Sequence, residues 1–232
     1  MWIEFVFQPT SLFSLKASDA TNSASKSLLS PSPYSVKMAL LNAICTFDSV
    51  KTAERYFTFI RDTEMQFSLP EFIVVNNCFI KIVKKDDHPK KPEDLFISTV
   101  AFREFVYFSG EIKIAVKIQE NSTVEQIEFL KSNFCKINYF GKRASFFQFT
   151  KWTDEPIYEL PIEYSRGIDD PLFKDNRHKI IMKVDDFSPD ITFNSVNSYS
   201  NEKTKRLTKL IFYNLKIQKS GKSFTAYELD SV

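Results

Sequence analysis

The order of elements in the sequence predicts an α+β fold: a ferredoxin-like, RRM-like core over residues 1–152 with an inserted β-hairpin, then a small β-rich extension over residues 153–232. Three observations carry this. Up to residue 150 the patterns run strand, helix, strand, hairpin excursion, strand, helix, strand, which is the order of a split βαβ unit. The charged, proline-broken stretch Lys84-Lys85-Asp86-Asp87-His88-Pro89-Lys90-Lys91-Pro92 separates two long strand-like runs, as a hairpin tip would. Past Trp152, Pro156, Pro161, Pro171 and Pro189 cut the chain into short extended pieces.

Residues 2–8 are aromatic and branched enough for a first strand, placed centrally if the fold begins there. Residues 11–32 are serine-rich and without period, a loop that closes on a helix start at Ser30-Pro31-Ser32-Pro33. Val36, Leu40, Ala43, Ile44 and Phe47 then follow the helical repeat. Asp48 or Ser49 caps a second helix with Ala53, Tyr56, Phe57 and Ile60 on one side, ended by Pro70. Residues 72–83 and 97–108 are long strands. After a Ser109-Gly110 turn, Ile112, Ile114, Val116 and Ile118 alternate with Glu111, Lys113, Ala115 and Lys117, a strand with one core face. Ser122-Thr123-Val124-Glu125 has capping-box form, and Val124, Ile127 and Leu130 give the next helix its buried stripe. Residues 136–139 and 144–150 form a hairpin around Gly141-Lys142-Arg143. Residues 180–184 and 207–218 are strands of the extension, joined by the polar stretch 194–201.

Composition narrows the function. With 24 phenylalanines and only 4 glycines, the chain has no Rossmann or P-loop phosphate cradle. Cys45, Cys78 and Cys135 each sit in an apolar run and read as buried thiols of a reducing compartment, not as a disulfide frame or zinc site. No run approaches about twenty apolar residues, so no membrane span is expected, and without a basic n-region the expected location is the cytoplasm. The formal charge of +2 is small but uneven. From Lys203 to Lys222 there are seven cations and no acid, whereas residues 154–190 are rich in carboxylates. A cation run before an apolar strand is a solvated edge or a contact for RNA or an acidic partner.

Catalytic signatures are sparse. His88 lies in a charged loop and His178 in Asn176-Arg177-His178-Lys179; neither has metal-ligand spacing to cysteine or carboxylate, and no Gly-x-Ser-x-Gly occurs. Asp169-Asp170 and Asp185-Asp186 read as solvated turn residues, so no metal or other cofactor is expected. Two stretches instead suit nucleic acid. Arg103 is interleaved with Phe105 and Tyr107 on one face of its strand, and Phe140-Gly141-Lys142-Arg143 precedes a strand in which Phe147 and Phe149 share a face opposite Phe146. Cations pair phosphates, glycine permits close backbone approach, and rings stack unpaired bases. The other reading of both is core: rings covered by a second layer, and a plain turn between strands.

The stretch from Ser30 through Pro33-Tyr34-Ser35-Val36-Lys37-Met38-Ala39-Leu40 to Ala43 resembles the proline-serine loop and small-residue helix of the Cas five family, the RAMP subunits of type I CRISPR effectors. Phe102-Arg103-Glu104-Phe105 looks like that family's post-thumb strand. The stretch running from Phe140 to Gln148 looks like its glycine-lysine hairpin, although Ala144 stands where a second glycine is expected. The match spans roughly residues 1–150 in order. It implies an RRM-like core with a β-hairpin thumb, here at about residues 84–98 with Lys84, Lys85, Lys90 and Lys91. It also implies a non-catalytic subunit that caps the 5′ handle of crRNA and contacts backbone Cas seven subunits and the Cascade large subunit, reaching target DNA through the complex. By motif position Tyr34, Ser35, Lys37, Gly141, Lys142 and Arg143 are its handle-binding candidates, joined by Lys84, Lys85 and Arg103 as RNA contacts. The alternatives are a RAMP-type metal-independent endoribonuclease processing precursor crRNA, with His88 or His178 as acid or base, and an aromatic-rich protein-interaction module.

Overall fold

The computed structural model describes residues 1–18, 26–89, 91, 95–142, 144–153, 155–197, 200–202 and 204–230. They form an α+β fold of two antiparallel sheets with helices packed on the first.

The first sheet takes β1 (Trp2–Pro9), β2 (Met65–Ser68), β5 (Ile112–Lys117) and β6 (Phe147–Trp152) in the order β2-β5-β1-β6. Its interior strand β1 is buried from Ile3 to Phe7, so it has no solvent face and reads as a continuous apolar run broken only by Glu4. On one side, Phe5 stacks on Phe134 at 4.0 Å and Phe7 meets Phe140 edge-on at 5.1 Å. On the other, residues 157–164 cover Ala115, and the Tyr164 hydroxyl donates to the buried Glu4 carboxylate.

Three helices pack on the first face. In α1 (Pro33–Phe47) Ser32 is the N-cap, its hydroxyl accepting from the Ser35 amide, with Pro33 in the first turn, where no amide partner is lost. The expected residues are buried except Phe47, which the last turn directs outward. In α2 (Val50–Arg61) the cap is Ser49 and the buried side is Ala53, Tyr56, Phe57 and Ile60. In α3 (Val124–Phe134) Thr123 and Gln126 form the capping box. The buried side of α3 is Leu130, Asn133 and Phe134, and Val124 in the first turn is exposed, correcting the stripe expected there.

Two other expectations change. α2 does not run to Pro70: it stops at Arg61, and the four residues of β2 pair with β5 and bury Met65 and Phe67. So short a run has too few residues to display a period. The hairpin expected around Gly141 reduces to one bridge, Tyr139 to Phe146, because residues 147–152 pair with β1 instead. All three cysteines are free; Cys135, at the C-cap of α3, is exposed, and Cys45 and Cys78 are half-buried rather than buried.

The second sheet is built on a long hairpin, β3 (Phe72–Lys85) with β4 (Phe96–Phe108), in register from Ile73 opposite Phe108 to Lys85 opposite Phe96. Its base joins β10 (Phe224–Leu229), which joins β9 (Arg206–Ser220); β9 also pairs with β7 (Arg166–Gly167) and β8 (Lys179–Phe187). The hairpin's outer half leaves the core, with Phe79, Val83, Phe96, Val100 and Phe102 all exposed. Among the described residues, one helical turn, α4 (Phe193–Val196), opens the polar stretch 194–201. No helix among the described residues is long and apolar enough to cross a membrane.

Candidate nucleic-acid interface

A groove of about 470 Å³ opens where four segments meet. The first turns of α1 supply Tyr34, Ser35, Met38 and Asn42 to one wall. Residues 16–18 and the Tyr139–Gly141 turn form another, and Lys183, Asp185 and Arg206 of β8 and β9 close it. Its construction is local chemistry at each wall. Ser32, capping α1, fixes the start of the helix and hence the position of Ser35. Gly141 adopts φ +66°, the left-handed region that glycine enters without a Cβ penalty, and turns the chain at the rim.

Several distant residues of the sequence reading converge here. Tyr34, Ser35 and Gly141 line the groove. Lys142 follows Gly141, and its ammonium is held below the usual lysine range by partial burial and then by the nearby positive charges of Arg103 and Lys16. Crowded like charges of this kind are relieved by an anion. Arg103 itself is half-buried on β4. Arg143 lies outside the described residues, as do Lys90 and most of the hairpin tip beyond Lys91.

Lys37 is a correction. Its side chain is 1% exposed, and its ammonium donates to Asp186 at 2.7 Å and to the Arg61 carbonyl at 2.8 Å. It faces into the fold, away from any ligand, because position 37 lies on the α1 face that meets β8. Lys84 and Lys85 are exposed on the hairpin's outer end and do not line the groove.

The sequence reading missed Asp185 and Arg206 as groove residues. The Arg206 guanidinium lies 4.2 Å from the Tyr34 ring centre and donates to Asp185 at 3.0 Å. Burial raises the Tyr34 phenol above its ordinary pKa, against the opposing pull of Arg206. The charge asymmetry visible in the sequence was the available signal: β8 carboxylates and β9 cations meet across their ladder, with Lys209 at 2.8 Å from Asp186 and Arg206 on Asp185. Asp185 and Asp186 are therefore ion-paired rather than solvated. Neither histidine lines the groove: His88 is exposed near the hairpin end, and His178 rests 3.3 Å from Asp230. No group of three or more His, Cys, Asp or Glu side chains among the described residues is placed to hold a metal ion.

No family model matches the sequence. It is 28% identical over 233 residues to the CRISPR-associated protein Cas5 of Archaeoglobus fulgidus, covering 98% of both chains. Its fold is similar to a crystal structure of a CRISPR protein from Archaeoglobus fulgidus, with TM-score 0.52 and 10% identity over 99% of this chain and 92% of that one. A chain of a CRISPR RNA-guided surveillance complex aligns with TM-score 0.42 and 14% identity over 91% and 88% of the two chains. The sequence match runs end to end and the fold similarity agrees with it: over nearly its full length the chain is similar to a CRISPR-associated protein Cas5.

Proposed function

We propose that this protein is a non-catalytic subunit of a type I CRISPR effector that caps the 5′ handle of crRNA and joins the backbone subunits to the large subunit. One observation carries the reading: residues 16, 34–35 and 141, far apart in sequence, line one groove, and Lys142 next to Gly141 lies close to the positive charge of a fourth segment at Arg103. Three of those four segments are ones that the family resemblance named. The strand order β2-β5-β1-β6 supports a ferredoxin-like core, and the exposed β3–β4 hairpin supports a thumb. Phe79 and Phe102 meet on that hairpin at 5.2 Å, on the face that carries Lys81, a mix of ring and charge suited to a nucleic-acid strand.

A handle cap has to hold single-stranded RNA without cutting it. The groove offers hydroxyls, rings and cations but no histidine, which favours holding over general acid–base cleavage. The test is incubation of the purified protein with labelled repeat RNA, with and without magnesium. The expected result is retention of intact single-stranded RNA under both conditions. Absence of retention contradicts the reading, and site-specific cleavage abolished by His88→Ala or His178→Ala replaces it with an endoribonuclease.

A further inference from the structure

The groove wall contributed by β8 and β9 contains a four-layer column running from core to surface. Phe57 packs on Phe187 at 5.8 Å, Phe187 meets the Tyr34 ring edge-on at 5.2 Å, and the Arg206 guanidinium covers Tyr34 at 4.2 Å. Phe57 and Phe187 are buried, so the column is anchored from below. Asp185, whose side chain is 14% exposed, holds the guanidinium from the side at 3.0 Å, while Arg206 keeps 40% of its side chain in solvent.

A guanidinium is planar and stacks on rings and bases alike. One held against both a ring and a carboxylate has already lost much of its rotamer freedom, so a further layer on its open side costs little additional ordering. The other use of an arginine, pairing a phosphate, is disfavoured here. Asp185 already neutralises the charge, and a phosphate would have to compete with that carboxylate. Of the described lysines of the run, Lys205 is bound to Asp190 and Lys209 to Asp186, and among the described residues no ring lies beneath either. The groove's volume, about 470 Å³, suits one nucleotide-sized group.

We infer that Arg206 is a stacking platform for one unpaired RNA base in this groove, with Tyr34 and Asp185 positioning it. The inference rests on the RNA-binding reading above. It is tested with repeat RNA carrying a single fluorescent adenine analogue, moved base by base, whose emission is quenched by stacking. Wild-type protein should bind the RNA and quench one position. Arg206→Lys, which keeps the charge and the reach to Asp185, should weaken binding about tenfold, lose that quench and leave the salt dependence unchanged. Arg206→Tyr should restore most of the affinity, because a ring is also a flat platform. Asp185→Asn should steepen the salt dependence by about one ion, since the guanidinium is then free to pair a phosphate.

Failure of the wild type to bind RNA overturns the RNA reading and this inference with it. RNA binding with full affinity and full quench in Arg206→Lys overturns the platform alone. A loss of about one ion from the salt dependence in Arg206→Tyr makes Arg206 a phosphate contact, and an unchanged salt dependence in Asp185→Asn removes the positioning role of that carboxylate.

Discussion

Lys37 and Asp186, 149 residues apart in sequence, lie 2.7 Å from each other with side chains 1% and 4% exposed. The pair fastens the first helix to the C-terminal ladder beneath the groove. Burial holds the Lys37 ammonium below the usual lysine range against the attraction of Asp186, so the carboxylate offsets only part of the desolvation. Removing one partner strands the other. Lys37→Met is expected to destabilise the protein by about 3 kcal/mol, the low end for breaking a buried pair, because Lys209 and the Phe187 amide still serve Asp186. Lys37→Met with Asp186→Leu should be more stable than Asp186→Leu alone, since no uncompensated buried ammonium remains. Urea midpoints of the variants check both orders.

At the groove rim, Gly141 holds φ +66°, and a Cβ there would meet the Leu15 side chain at 3.2 Å. Gly141→Ala should therefore cost about 1–2 kcal/mol from the left-handed backbone, lowering Tm by several degrees at about 2–4 °C per kcal/mol for a chain of this size. An unchanged Tm in calorimetry would show that the turn is not built as described.

Alkaline stability reports the two buried phenols. Burial pushes Tyr213 up, and burial plus the Glu4 carboxylate pushes Tyr164 up, both above the ordinary value of 10.0. A folded-state pKa above the unfolded one gives stability that is complete below pH 10 and declines as pH rises beyond it. The decline should be about 1.4 kcal/mol per pH unit for each phenol. Tyr164→Phe and Tyr213→Phe should each remove about one such increment from the slope of urea stability against pH above 10. Equal slopes in wild type and variants would contradict the burial of these hydroxyls.

Much of this fold is legible along the chain. The burial of Ile112, Ile114 and Val116 and the helical side of α2 are local signals that the structure keeps, whereas the capping box of α3 falls on Thr123 and Gln126, one residue later than Ser122 to Glu125, and Ala115 on the opposite strand face is covered too. β2 and β10 were hidden because four and six residues of mixed character become strands only through the partners they find, β5 and β3. The site was half legible for the same reason. Tyr34, Ser35 and Gly141 stand in motifs and line the groove, whereas Lys37, in the same motif, reads as an RNA contact until Asp186 is placed beside it. Arg206 reads as one charge in a run until Tyr34 appears under it.

The rim charge has its own signature. Lys142→Ala should weaken single-stranded RNA binding across sequences and reduce the slope of log affinity against log salt by about one. Lys51→Ala, on α2 and away from the groove, should leave that slope unchanged. Titrations by fluorescence anisotropy over a range of salt separate the two.

The most direct test of the groove as the RNA site is ultraviolet crosslinking of bound repeat RNA followed by mass spectrometry of the peptides. Crosslinks at Tyr34 or Tyr139, lost when excess unlabelled single-stranded RNA competes, are the predicted result. Crosslinks confined to peptides that contribute nothing to the groove would contradict it.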